Sequence, residues 1–115
     1  MYESMTVQVR AGLGELRLVE AVQALSDAHD VLRGATADVR RVTRPDLARV
    51  TGEVIAAAPA RGAAFQAVWL DAADEGRLVL LALPEVLAAL PWHVLLPELV
   101  AAWKDRLPRI PAQAR

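Results

Sequence analysis

The stretch FQAVWLDAADEGRLVLLAL, residues 65–83, decides the fold class of this chain. Its first seven residues are rich in the β-branched and aromatic side chains that favour strands. Residues 71–76 are polar and end in glycine, which indicates a hairpin turn. Residues 77–83 are almost continuously apolar, as in a strand that is covered on both faces. Two strands here predict an α+β fold, whereas a helical reading of the same residues leaves an all-α fold as the alternative.

Helical periodicity precedes this hairpin. Residues 15–33 place Leu18, Val22 and Leu25 on one helical face and polar residues on the other. Residues 44–58 repeat the pattern, with proline near both ends. Residues 35–42 fit either a short strand or a helical turn and are treated as a connector.

The chain begins and ends with further elements. Residues 6–10 alternate between polar and apolar side chains, which predicts a half-buried strand. After the hairpin, the segments LPEVLAAL and LPELVAAW start at positions 83 and 96, and each offers the Pro-Glu pair that favours a helix start. We therefore predict helices near 84–90 and 97–107, joined by an elbow or helical turn at 91–94.

Together these elements predict an α+β domain. About three strands form a small, mostly antiparallel sheet, with three to four helices packed on one face of it. A single compact domain is expected over residues 1–111, followed by a polar tail at residues 112–115.

The composition excludes several classes of protein. With 55% hydrophobic residues and a net charge of −1, the 115-residue chain is expected to fold rather than to be disordered. The absence of cysteine excludes disulfide scaffolds and thiolate metal sites. Because alanine and arginine are abundant while Lys104 is the only lysine, the composition suits a GC-rich bacterial genome. No apolar signal segment is visible, so the cytoplasm is the expected compartment.

Residues able to carry out chemistry are few. Three small clusters were considered as sites: Asp27, His29 and Asp30; Asp71, Asp74 and Glu75; and Gly12 with Gly14. The first is too closely spaced to chelate a metal from one helix face, the second lacks the EF-hand spacing, and the third lacks a complete phosphate-binding motif. No serine, threonine or cysteine follows Thr51. We therefore predict no catalytic residue, no metal and no cofactor, and the balance favours a non-enzymatic role.

A group of arginines lies in the middle of the chain. Its members are Arg33, Arg40, Arg41, Arg44 and Arg49. A nucleic-acid surface would also need aromatic side chains or a known module, and neither lies nearby. A solvated face, or a contact with an acidic partner, is the favoured interpretation, and nucleic acid is not an expected partner.

The final third of the chain carries many bulky apolar residues. A domain of this size buries roughly 65% of its unfolded surface, and the first two helices also need core space. We therefore expect an exposed apolar contact surface on the C-terminal helices, which would bind another protein or a second copy of the chain. The predicted contact residues are Leu87, Leu90, Trp92, Leu95, Leu99 and Trp103. If Leu99 lies at such a contact, Leu99→Asp lowers the mass of the oligomer without unfolding the monomer.

Two other functions stay open. A small-molecule-binding protein or enzyme would use an apolar pocket lined by the C-terminal helices, with His93, Trp92 or Arg77 as a polar contact. A peripheral membrane-associated module would lay residues 78–103 on lipid, although Glu85, Glu98 and three prolines disfavour a true span.

Overall fold

The computed structural model describes residues 1–9, 15–72 and 75–105. Its strands are β1 (Glu3–Val9), β2 (Thr36–Arg41), β3 (Phe65–Asp71) and β4 (Gly76–Ala82), and its helices are α1 (Glu15–Ala28), α2 (Leu47–Arg61), α3 (Pro84–Ala89) and α4 (Trp92–Asp105). Short 3-10 helices, Asp30–Leu32 and Arg44–Asp46, lead into β2 and α2. The predicted α+β class is confirmed, and the all-α alternative is wrong.

The four strands form one sheet in the order β1-β4-β3-β2. Strands β3 and β4 form the predicted antiparallel hairpin, whose register runs from Phe65↔Ala82 to Asp71↔Gly76. Strand β1 pairs antiparallel with β4, and β2 pairs parallel with β3. The sheet therefore has four strands rather than about three, because the connector 35–42 contains β2. Its half-buried Ala37 and Val39 alternate with exposed neighbours in the two-residue period of a strand.

Helices cover both faces of this sheet, which corrects the prediction that they lie on one face. Helices α1, α3 and α4 share one core with residues such as Phe65, Trp69 and Leu80. Helix α2 forms a second core with residues such as Val68 and Leu81 on the opposite face. The physical reason lies in β3 and β4, where successive apolar residues point to opposite faces and both faces therefore need cover.

The helix ends differ from the predicted ones in two places. Helix α2 continues past Pro59 to Arg61 and ends at Gly62, which has a φ of 80° and donates its N–H to the carbonyl of Ala58. Pro59 removes only one backbone hydrogen bond in the last turn, so the helix tolerates it. Helix α4 begins at Trp92, earlier than predicted, and contains Pro97.

The long helix predicted over residues 15–33 is divided. Helix α1 ends at Ala28, and His29 adopts an extended conformation before the 3-10 helix. Gly34 follows with a φ of 79°, the left-handed conformation expected of a glycine that ends a helix. The predicted end of the last helix at 107 and the boundary between residues 1–111 and the 112–115 tail lie outside the described residues.

Candidate functional site

The predicted contact residues divide into a buried and a half-buried group. The buried group is Leu90, Leu95, Leu99 and Trp103, none of which is more than 7% exposed. These side chains belong to the core of the chain itself, where the Trp103 ring packs edge-on against Trp69 with 6.2 Å between ring centroids. Leu87 and Trp92 are half-buried against the same core. A contact role for these two stays a prediction, whereas the other four are not on the surface of the folded chain.

Over residues 93–101, the side of α4 that points away from the core is exposed, and Glu98 is its only charged side chain. We define the α4 outer face as the exposed residues His93, Val94, Pro97 and Ala101, together with the half-buried Leu96 and Val100 beside them. Val94 is among the most exposed large hydrophobic residues, at 36%. Glu98 is the only Asp, Glu, Lys or Arg residue between positions 92 and 103. A partner therefore meets an apolar helical surface here.

The one carboxylate of this segment is engaged elsewhere in the chain. Glu98 Oε1 lies 2.8 Å from His29 Nε2, in the residue that follows α1. Both side chains are partly exposed, so this contact adds at most about 1 kcal/mol to stability. Its main effect is to hold the carboxylate toward α1 and away from the α4 outer face.

The outer surfaces of the other long helices are different. On α2, Arg49 forms ion pairs with Asp46 at 3.4 Å and with Glu53 at 2.6 Å. The hydrogen bond that Arg49 donates to Glu53 and the negative charges of both carboxylates raise the pKa of Arg49 above its ordinary value. On α1, exposed Glu20, Gln23 and Asp27 face solvent, although Leu16 and Val19 are also exposed. Between residues 93 and 101, the α4 outer face therefore lacks the charged residues that the outer sides of α1 and α2 carry.

The predicted arginine group is largely ion-paired. Four of its five members have acidic partners: Arg33 with Asp30, Arg40 with Asp38, Arg44 with Glu75, and Arg49 with Asp46 and Glu53. Arg41 is exposed at the end of β2. This arrangement agrees with the interpretation as a solvated, charged face.

The candidate cluster of Asp27, His29 and Asp30 does not assemble into a site. His29 contacts Glu98, whereas Asp27 accepts a hydrogen bond from Gln23 and Asp30 pairs with Arg33. Within residues 1–9, 15–72 and 75–105, no three His, Asp or Glu residues could hold a metal ion together. Asp74 and the two glycines at positions 12 and 14 lie outside the described residues.

A buried polar network joins α2 to the sheet. The amide of Gln66, which is fully buried, donates to the carbonyls of Ala58 and Ala63, each at 3.1 Å. Arg61 Nε donates to Gln66 Oε1 at 2.5 Å, and its Nη2 donates to the carbonyl of Val54 at 2.7 Å. Desolvation by burial lowers the pKa of Arg61, and the nearby positive charge of Arg40 lowers it further. This network satisfies carbonyls at the end of α2 and is structural.

Surface depressions occur away from the C-terminal helices. One lies on α1 and is lined by Glu20, Gln23, Ala24 and Asp27; another lies between β2 and α2 and is lined by Arg41, Val42, Thr43, Asp46, Arg49 and Val50. His93 is in neither of these two depressions. No helix in the described part of the chain is long and apolar enough to cross a bilayer.

The sequence did not predict the α4 outer face, because the contact prediction rested on the bulkiest apolar residues, which lie on the core-facing side of the helix. Leu95, Leu99 and Trp103 are spaced four residues apart, which is the period of a core-facing stripe. The smaller apolar residues between them occupy the outer side. The signal that could have found this face is the lack of Asp, Glu, Lys or Arg at positions 93, 94, 97 and 101.

Comparisons with known proteins support the fold alone. No protein-family model matches the chain, and no curated protein sequence matches it either. The fold is similar to that of a chain from a solved structure concerned with condensation domain-mediated chain release from the enacyloxin polyketide synthase, with a TM-score of 0.56 and 16% sequence identity. The alignment covers 96% of this chain and 26% of that chain, so this chain spans about a quarter of its structural neighbour.

Proposed function

We propose that this chain is a small, non-catalytic protein-interaction module that docks on another protein through the α4 outer face. The observation that carries the proposal is that the described residues of this face, between positions 93 and 101, have no Asp, Glu, Lys or Arg, whereas the outer sides of α1 and α2 carry charged residues. The centres of protein interfaces are depleted in charged residues, and contiguous exposed apolar surface marks interaction sites.

The chemistry of this face specifies the partner as an apolar protein surface. Val94 offers a methyl-bearing contact, and the short Ala101 and Pro97 side chains allow a second helix to approach closely. Interaxial distances between packed helices depend on the side chains at the contact, and small ones permit the shorter distances. An amphipathic helix that presents its apolar side is therefore the partner that fits best.

The structural comparison supports a role for this chain as one part of a larger assembly. In the similar chain, a fold of this kind makes up only about a quarter of the polypeptide. The alanine- and arginine-rich composition supports a bacterial origin, and the cytoplasm is the proposed compartment.

Site-specific photo-crosslinking in the native cells tests the proposal. A photoreactive phenylalanine analogue replaces Val94 in one variant and exposed Ala48, on the outer side of α2, in the matched control. We expect a defined protein adduct from position 94 and none from position 48. The adduct partner, identified and purified, should bind the unmodified chain and lose at least about tenfold in affinity with Val94→Asp, which corresponds to about 1.4 kcal/mol.

Two results would contradict the proposal. One is equal crosslinking from positions 94 and 48. The other is an affinity for the purified adduct partner that Val94→Asp leaves unchanged while the variant stays folded by circular dichroism.

A further inference from the structure

The two edge strands of the sheet differ strongly in how well they are protected against pairing with a strand of another chain. Strand β2 carries Asp38, Arg40 and Arg41, and charged residues on an edge oppose pairing with another strand. The Asp38 carboxylate also accepts a hydrogen bond from the backbone N–H of Val39, at 2.9 Å. A second strand at this edge would have to desolvate these charges and compete with a hydrogen bond that is already formed.

Strand β1, at the other edge, lacks this protection. Residues 4–9 include no charged residue and no proline. They pair with β4 in an unbroken register from Glu3↔Ala82 to Val9↔Gly76, so no bulge twists the edge away. The Tyr2 hydroxyl donates to the carbonyl of Ala63 at 2.7 Å, which fixes the start of the strand. In the described part of the chain, the outer side of β1 is an ordered strand edge open to pairing.

We propose that β1 pairs antiparallel with β1 of a second copy of the chain, which joins two four-stranded sheets into one of eight strands. The sequence of the strand is self-complementary for this arrangement. With Thr6 opposite its own mate, Ser4 lies opposite Gln8 and Met5 lies opposite Val7. With Val7 opposite its mate, Thr6 lies opposite Gln8 and Met5 opposite Val9. Over residues 4–8 in the first register and residues 5–9 in the second, polar residues meet polar residues on the exposed face, and apolar residues meet apolar residues on the half-buried face.

The charges on the strand favour the same partner. Glu3 is the only charged residue of β1, and in the register centred on Thr6 it lies opposite Val9 of the second copy. The two Glu3 carboxylates are then separated by about 20 Å along the strands, well beyond the screening length at physiological salt. Antiparallel self-pairing is therefore free of like-charge repulsion, which makes a second copy the occupant that fits this edge.

Charge-swapped variants of β1 test the inference. Thr6→Lys with Gln8→Lys places like charges opposite each other in either register, because position 6 faces position 6 or position 8. The unmodified chain should have twice the monomer mass by light scattering at about 100 µM, whereas this variant should have the monomer mass. Thr6→Glu with Gln8→Glu should also be monomeric alone. An equimolar mixture of the two variants should restore the dimer, because opposite charges then face each other across the joint.

The matched control lies on the other edge strand. Thr36 is also exposed at a sheet edge, and Thr36→Lys should leave the mass of the dimer unchanged. A monomeric unmodified chain at this concentration would overturn the inference, as would a double-lysine variant of unchanged mass or a mixture of variants that stays monomeric. Val94→Asp should not alter the mass either, so failure of this inference and failure of the proposed function are separate results.

Discussion

Leu99 offers the sharpest test of whether the apolar residues of the C-terminal third lie in the core or on the surface. Its side chain is fully buried in the core shared by α1, α3, α4 and the sheet. Leu99→Ala removes most of this side chain and leaves a cavity, and such substitutions cost about 2–5 kcal/mol. For a chain of this length a loss of about 3 kcal/mol lowers the midpoint of thermal unfolding by about 10–15 °C.

Urea unfolding followed by far-ultraviolet circular dichroism measures this loss. The midpoint should fall while the dependence of the unfolding free energy on urea stays unchanged, because the surface exposed on unfolding is nearly the same. Val94→Ala on the outer side of the same helix is the matched control and should change the unfolding free energy by less than about 0.5 kcal/mol. A loss below about 1 kcal/mol for Leu99→Ala, with a reduced oligomer mass, would mean that Leu99 lies at a contact surface and would refute the packing described above.

Leu99→Asp should unfold the chain rather than yield a folded monomer, since it buries an unpaired carboxyl group.

Four further substitutions test local features of the fold, each by urea unfolding. Gly76→Ala should destabilise by about 1–3 kcal/mol, because its new Cβ atom would lie 2.6 Å from Trp69 Nε1 and force the tightly packed ring to move. Gly52→Ala should stabilise the chain by up to about 1 kcal/mol, since this position is helical with open space around it. Gly62→Ala should destabilise it by about 1–2 kcal/mol despite equally open space, because Gly62 has a φ of 80°. Gln66→Leu should cost about 1–3 kcal/mol, because it leaves the buried carbonyl of Ala58 and the part-buried Ala63 carbonyl and Arg61 N–H without their partners.

The hairpin could be predicted from the sequence because its signals are local and agree with one another. Strand-favouring residues in β3, the polar turn and the apolar run in β4 all indicate the same structure, and the observed bounds differ by at most one residue. Strand β2 could not be predicted in this way. It has only two apolar residues in six, and its pairing depends on β3, which lies more than twenty residues further along the chain. Tertiary pairing therefore decides its conformation rather than local propensity.

The surface was harder to predict than the core for a related reason. Counting apolar residues showed that the C-terminal third holds many of them, but it could not show that the sheet has two faces to cover. Because α2 covers one face and α1, α3 and α4 cover the other, the bulky stripe of α4 packs in the core of the chain. What remains on the α4 outer face, between residues 93 and 101, is distinguished by uncharged side chains rather than by large ones.

The two proposed surfaces are connected by the symmetry of the dimer. Antiparallel pairing of two β1 strands within one sheet requires a two-fold axis perpendicular to that sheet, so each face of the joined sheet is formed by the same face of both copies. Helix α4 packs on one defined face, and the α4 outer faces of the two copies therefore lie on the same side of the dimer. A partner with two apolar helices could engage both at once, which raises its apparent affinity far above that of a single contact. Pairing through β2 would be opposed by charge, so the unprotected edge also determines how the two contact faces are presented.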